Sequence, residues 1–323
     1  MLLKVENIVT TFDVEGKTLT ALQDVSFEVN SGETLGIVGE SGCGKSVTSL
    51  SVMGLLPKPS GKTVSGKVLY RGDDLLKFNS EQLSKIRGHK IAMIFQEPMT
   101  ALNPVYRIGR QIGEVFKIHF PDMKDQEILQ KSINLLKQVG IPAPEQRISE
   151  YPHQLSGGMR QRVMIAMALA CEPEILICDE PTTALDVTIQ AQILELIKDL
   201  QKKNNMAVIM ITHDLGVIAE FCDRVAVMYA GKVVETAKVI DLYRSAKHPY
   251  TQGLLASIPT MDHPRKTKLE TIKGQVPSLF NMPTYCRFEN RCPHAEEICR
   301  KEYPEDSTVN DSHKVSCHRW REL

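Results

Sequence analysis

Hydrophobic positions change period several times along the chain, and each change marks an element. Thr34-Leu35-Gly36-Ile37-Val38, Ile91 to Phe95, Ile175 to Cys178 and Ala207 to Thr212 are short continuous apolar runs, which predict buried strands. Residues 2–9 and Ala21 to Val29 are β-branched and partly alternating, as in Val25-Ser26-Phe27-Glu28-Val29, and predict an antiparallel edge sheet. Val64 to Leu69 predicts another strand, and Phe12 is placed in a loop before the second. Val225 to Tyr229, Ala230-Gly231 and Lys232 to Glu235 predict a hairpin. From about residue 97 to 157 the spacing turns helical: Ile128, Leu129, Leu135, Leu136 and Val139 fit one face of a helix that stops at Gly140. A helix after Ser156 running to Ala170 follows. Another carries Ile189, Ile193, Leu196, Ile197 and Leu200 behind an Asp186 cap, and a short one starts at His248-Pro249-Tyr250. Strands alternating with helices predict an α/β core with a helical insertion.

The 323 residues suffice for one large domain and an appendage. With 39 basic and 39 acidic residues there is no general basic field, which argues against nucleic acid as a partner. The longest apolar stretch, about Val163 to Cys171, falls far short of the ~20 residues that span a bilayer. Met1 to Glu6 carries no signal-peptide core. The expectation is a cytoplasmic protein whose link to a membrane runs through a partner. Four of the eight cysteines, Cys286, Cys292, Cys299 and Cys317, crowd into the last 38 residues, which in a cytosolic chain suggests a metal before disulfides.

The central chemistry lies in Gly39-Glu40-Ser41-Gly42-Cys43-Gly44-Lys45-Ser46, which fits G-x-x-x-x-G-K-[ST] between a strand and a helix. Glycines let the backbone curl until several N–H groups face one anion, Lys45 brings charge to the β- and γ-phosphates, and Ser46 offers a hydroxyl to Mg²⁺. The pattern reads as a nucleoside triphosphate site. Ser156-Gly157-Gly158 forms a second anion-binding geometry, a capped helix start with open N–H groups. Asp179-Glu180 ends an apolar strand. Beside a phosphate loop, the first acid suits Mg²⁺ and the second suits a general base acting on water. Gln96 and His213 also stand at carboxyl ends of strands, where α/β proteins place ligand contacts.

The order Phe12, Gly39–Ser46, Gln96, Leu155–Met159, Asp179-Glu180, His213 resembles the nucleotide-binding subunit of an ABC transporter over residues 1 to about 245. The resemblance implies a RecA-like core with an antiparallel β-subdomain and a helical subdomain. It implies ATP and Mg²⁺, with Phe12 on adenine, Gln96 on Mg²⁺ and the attacking water, Glu180 as base, and His213 as the switch at the γ-phosphate. Leu155 to Gln161 becomes the family signature and Ala184-Leu185-Asp186 the dimer loop. The two anion sites then serve different nucleotides, the signature of one chain facing the phosphate loop of another.

Residues 246–323 are proline-punctuated and poor in apolar positions, so a metal would supply a missing constraint. The spacing C-x₅-C-x₆-C-x₁₇-C between 286 and 317 has no C-x₂-C knuckle, and His294, His313 and His318 keep zinc open as an alternative. His248-Pro249-Tyr250, Gly274-Gln275-Val276-Pro277 and Arg291-Cys292-Pro293 resemble the C-terminal extension of oligopeptide and dipeptide ABC importer ATPases. That resemblance implies a [4Fe–4S] cluster on Cys286, Cys292, Cys299 and Cys317. It also implies a place on the cytoplasmic face of the membrane. The partners implied are a second ATPase chain (a paralogue or the same chain), two permease subunits docking near Gln96 to Asn103, and an extracytoplasmic peptide-binding protein. A related solute such as a nickel chelate is an alternative cargo. A soluble ABC protein of DNA repair or translation, or an iron–sulfur regulator using ATP as a signal, is the alternative class. The single nucleotide domain, the lack of a long heptad run and the intact Asp179-Glu180 pair argue against these.

Overall fold

A computed structural model describes residues 1–96, 101–182, 186–258 and 271–323. Twelve strands are defined among them: β1 (Leu3–Val14), β2 (Lys17–Val29), β3 (Thr34–Val38), β4 (Gly61–Tyr70), β5 (Asp73–Asp74), β6 (Ile91–Ile94), β7 (Ile175–Asp179), β8 (Ala207–Thr212), β9 (Arg224–Tyr229), β10 (Lys232–Lys238), β11 (Ser307–Asn310) and β12 (His313–Val315). The chain forms two compact units. One joins Met1–Val29, Thr34–Leu76 and Ile211–Leu323; the other joins Asn30–Glu33 and Lys77–Met210.

In the first unit β2, β1, β4 and β5 form an antiparallel sheet in that order. Glu15 and Gly16 both take positive φ, 51° and 76°, the requirement of a tight two-residue hairpin turn. That turn corrects the expectation for Phe12. It lies not in a loop but inside β1, paired with Leu19 on one side and Gly61 on the other. The threonine-rich run on both sides of the turn favours extended backbone, and strand pairing continues to the turn itself. The Phe12 ring packs so closely on Gly61 that a Cβ there would meet it at 2.8 Å.

The P-loop strand β3 is buried at all five residues and pairs in parallel with β9, Leu35 opposite Arg224 through Val38 opposite Val227. The Ala230-Gly231 turn, again with two positive φ values, returns the chain into β10 as the sequence predicts. In the second unit β6 pairs in parallel with β7, and β8 flanks β7. Every residue of β7 and β8 is buried, which explains their unbroken apolar runs. The helices Ile108–His119, Asp125–Gln138 and Pro144–Arg147 fall in the predicted helical region, and Gly157–Leu169 is the helix predicted after Ser156. The apolar face of Asp125–Gln138 is narrower than the spacing implies. It buries Ile128, Ser132 and Leu136 and leaves Leu129 outside at 49% exposure.

After residue 271 the chain is a series of 3₁₀ turns and one hairpin, and β12 of that hairpin extends the edge of β10. Two long-range clusters hold the segment. Phe288 packs its ring 5.2 Å from Tyr229 and 5.4 Å from Tyr250, and all three are buried. Glu235, also buried, accepts from the backbone N–H of Lys247 (2.6 Å) and His248 (3.0 Å), and its Oε1 meets His313 Nε2 at 2.7 Å. Its carboxyl is held below the usual range: the hydrogen bonds to His313 and these N–H groups outweigh the desolvation that opposes them.

His248 caps the next helix with a buried acceptor, Nδ1, 3.1 Å from the N–H of Tyr250. Burial lowers its pKa from 6.5 to about 4, against the opposing pull of Glu235. Between these values the unfolded chain binds a proton that the folded chain refuses. Stability is therefore retained above pH 6.5 and lost as pH falls toward 4, by on the order of 3 kcal/mol. We expect His248→Asn, which keeps a capping acceptor but cannot titrate, to show a shallower loss across that window in urea titrations; an unchanged slope would reject the assignment.

Candidate functional site

β3 delivers the chain at Gly39 against the backbone of β9. A Cβ on Gly39 would fall 2.2 Å from the carbonyl oxygen of Met228, so only glycine lets the strands approach. Gly44, at φ 97°, turns the loop into the helix Lys45–Met53. Between them Ser41 and Gly42 are exposed and Cys43 is buried at 1% exposure. The Cys43 thiol points inward and burial raises its pKa, so this residue offers backbone, not sulfur, to a ligand. Lys45 is buried, its Nζ donating to the carbonyls of Gly39 (2.8 Å) and Glu40 (3.1 Å). Ser46 follows in the first helical turn, where N–H groups lack intrahelical partners. These features make a curled loop with a basic group stored inside and an accessible backbone face.

The loop is also held from the C-terminal segment, which the sequence reading did not foresee. The N–H of Glu40 donates to the Tyr250 hydroxyl at 2.8 Å. Its carboxylate accepts two hydrogen bonds from Arg291, Nη1 at 2.6 Å and Nη2 at 2.9 Å. Both residues stand in the motifs that mark the tail, yet nothing local points to a partner 251 residues away.

In the second unit, β7 ends on Asp179, 4% exposed, and Glu180 then takes a left-handed φ of 47°. Gln96, just past β6, donates to Glu180 Oε2 at 3.1 Å, so these two predicted site residues meet. Gln161, on the predicted signature, donates to the carbonyl of Pro181. Ser156 caps the Gly157–Leu169 helix by accepting from Met159 at 3.3 Å, and the space beside Gly157 is open, leaving the helix start accessible. Asp186 caps Val187–Asn204 through the N–H of Ile189, while Ala184 and Leu185 lie outside the described residues. So do residues 97–100 of the expected docking surface. His213, in the first unit, is exposed at the end of β8, where Asp214 caps the helix Leu215–Phe221.

Cys292, Cys299 and Cys317 all lie near enough to Cys286 to raise its thiol pKa, and Cys317 feels Cys292 and Cys299 in the same way. Burial pushes the Cys286 thiol up to about 12 and Cys317 up to about 11. Among the described residues, no group of three or more Cys, His, Asp or Glu side chains is arranged to hold a metal ion, so the structure gives no support to the metal centre expected on these cysteines.

The chain matches two families: ABC transporter over residues 22–183, and the oligopeptide/dipeptide transporter C-terminal region over residues 234–299. A probable peptide ABC transporter ATP-binding protein of Sinorhizobium fredii is 52% identical across all of this chain and 96% of its own length. The dipeptide transport ATP-binding protein of Bacillus subtilis is 51% identical over 98% of this chain and 93% of its own. A dimeric bacterial ABC transporter cassette in a post-hydrolysis state, bound to ADP and phosphate, covers 74% of this chain and 99% of its own at 30% identity and a TM-score of 0.66. Among the described residues no helix is long and apolar enough to cross a membrane. The phosphate loop, the strand-end acids and these matches agree: the chain belongs to the ABC transporter ATP-binding family, in the branch that carries the oligopeptide/dipeptide transporter C-terminal region.

Proposed function

We propose that this chain is the ATP-hydrolysing subunit that powers import of dipeptides or oligopeptides. The observation that carries the reading is the pairing of a formed phosphate loop with the peptide-transporter C-terminal region in one chain, which matches peptide-transport relatives over 96% and 93% of their own length. Its partners are a second ATPase chain, either a paralogue or itself, two membrane permease subunits and an extracytoplasmic peptide-binding protein. It works at the cytoplasmic face of the membrane. Residues 1–245 are the nucleotide-binding domain, with the helical insertion at about 97–157, and residues 246–323 are the transporter-specific extension.

ATP is the substrate. The backbone of Gly39 to Ser46 receives its phosphates, and Lys45 exchanges its two carbonyl partners for β- and γ-phosphate oxygens. The adenine stacks on Phe12, whose ring is fixed by its place in a strand. Mg²⁺ suits the hard oxygen donors of Ser46, Asp179 and Gln96, and supplies neutralisation of phosphate charge. Glu180 accepts a proton from the attacking water, and the Gln96 hydrogen bond aims its carboxylate. His213 senses the γ-phosphate. Ser156, Gly157 and Gly158 serve the nucleotide of the opposite chain, so each ATP is enclosed only when two chains close. Closure reorients the permeases and hydrolysis releases the pair.

Cys286, Cys292, Cys299 and Cys317 would hold a [4Fe–4S] cluster, with zinc as the alternative occupant, because thiolates are ligands for both. A mononuclear zinc would draw all four sulfurs to about 2.3 Å from one ion. A cubane places its thiolates at outer corners, further apart than the ligands of one ion. The cluster would act as a structural pin.

The test of the whole reading is co-purification with integral membrane subunits, followed by peptide-stimulated ATPase activity of the reconstituted complex; an ATPase that never associates with them would sink it. For the site, Glu180→Gln should bind ATP, release phosphate at least about 100-fold more slowly and accumulate as a dimer on size exclusion. Near-normal turnover would remove Glu180 as the base. Anaerobically purified protein should contain about four irons and four acid-labile sulfides per chain; stoichiometric zinc without sulfide would replace the cluster.

A further inference from the structure

The C-terminal extension reaches the phosphate loop through one ion pair. The Arg291 side chain is 2% exposed and forks onto both carboxylate oxygens of Glu40, the second residue of the loop. Its remaining hydrogens are taken by the carbonyls of Lys273 and Ile272 and by the Tyr229 hydroxyl, so the guanidinium is fixed from the tail side and from β9. The rest of Glu40 is engaged too: its N–H by Tyr250, its carbonyl by Lys45. A carboxylate in a loop built to hold a polyanion is a liability. Left alone it would repel the phosphates and compete with them for Lys45.

We propose that Arg291 is a positioning residue of the nucleotide site, cancelling the Glu40 charge and holding that side chain away from the incoming phosphates. The proposal rests on Gly39 to Ser46 being the phosphate loop, as above. It makes the transporter-specific tail a working part of ATP binding, not an appendix to it. The fork geometry matters because a guanidinium binds both oxygens in one plane, whereas a lysine would offer a single point charge.

The test is equilibrium titration of the full-length chain with fluorescent ATP, ADP and adenosine, in wild type, Arg291→Met, Glu40→Gln and the double variant. Arg291→Met should weaken ATP binding about tenfold or more, with a smaller loss for ADP and essentially none for adenosine, since the exposed carboxylate acts on phosphate charge. Adding Glu40→Gln to Arg291→Met should restore affinity to within about threefold of wild type, because no charge then needs cancelling. A tail that merely props the loop predicts the reverse: the double variant no better than Arg291→Met, and adenosine affected as much as ATP. Either result overturns the proposal, as does an unchanged affinity in Arg291→Met. A wild-type chain that binds no ATP would instead overturn the phosphate-loop reading, and the proposal with it.

Discussion

The site depends on one constraint, the curl of backbone from Gly39 to Gly44. A loop that presents its N–H groups outward must have its other polar groups satisfied from behind. Here β9 approaches to where Gly39 leaves no room for a side chain, and Gly231 donates to the carbonyl of Cys43 at 2.9 Å. Tyr250 and Arg291 secure Glu40, and Lys45 closes over the carbonyls of Gly39 and Glu40. The open face and the braced back are two sides of the same requirement, that buried backbone groups find partners. The hairpin β9–β10 and the helix Pro249–Ala256, which carries Tyr250, therefore serve the loop as directly as the motif residues do.

Much of this was legible in the sequence where short-range physics decides it. β3, β7 and β8 are runs too short and too apolar to be anything but buried strands. The Ala230-Gly231 turn and the caps Ser156 and Asp186 behave as local hydrogen-bonding rules require. The companions Gln96 and Glu180 were each placed by their position at a strand end, and they meet across 84 residues. Phe12 was misread because a lone aromatic among threonines carries no clear period, and the two-residue turn at Glu15-Gly16 extended the strands past it.

The tail was hardest to read because its order is not local. Its 3₁₀ turns have no apolar period, and the rings that hold it come from residues 229, 250 and 288. Its polar centre, Glu235, gathers partners from Lys247, His248 and His313, and a buried carboxylate is tolerated only because those donors replace its water. Motif resemblance named the segment from His248, Gly274 and Arg291, but naming it did not reveal that Arg291 ends on the phosphate loop.

The backbone at Glu180 sets the two strand-end acids in different surroundings. Asp179 completes β7 and is buried, so its carboxylate is constrained by the strand that carries it. Glu180 leaves that strand in the left-handed region, which costs a residue with a Cβ roughly 1 kcal/mol. Such a conformation persists where the surroundings hold it, and here the carboxylate is met by Gln96 at 3.1 Å while Gln161 secures the following carbonyl of Pro181. Gln161 belongs to the helix that starts at the signature. The same helix that leaves the space beside Gly157 open thus fixes, four residues on, the turn that follows Glu180. Glu180 is fixed from both sides of the turn, by Gln96 on its carboxylate and by the Gly157–Leu169 helix on the carbonyl that follows it.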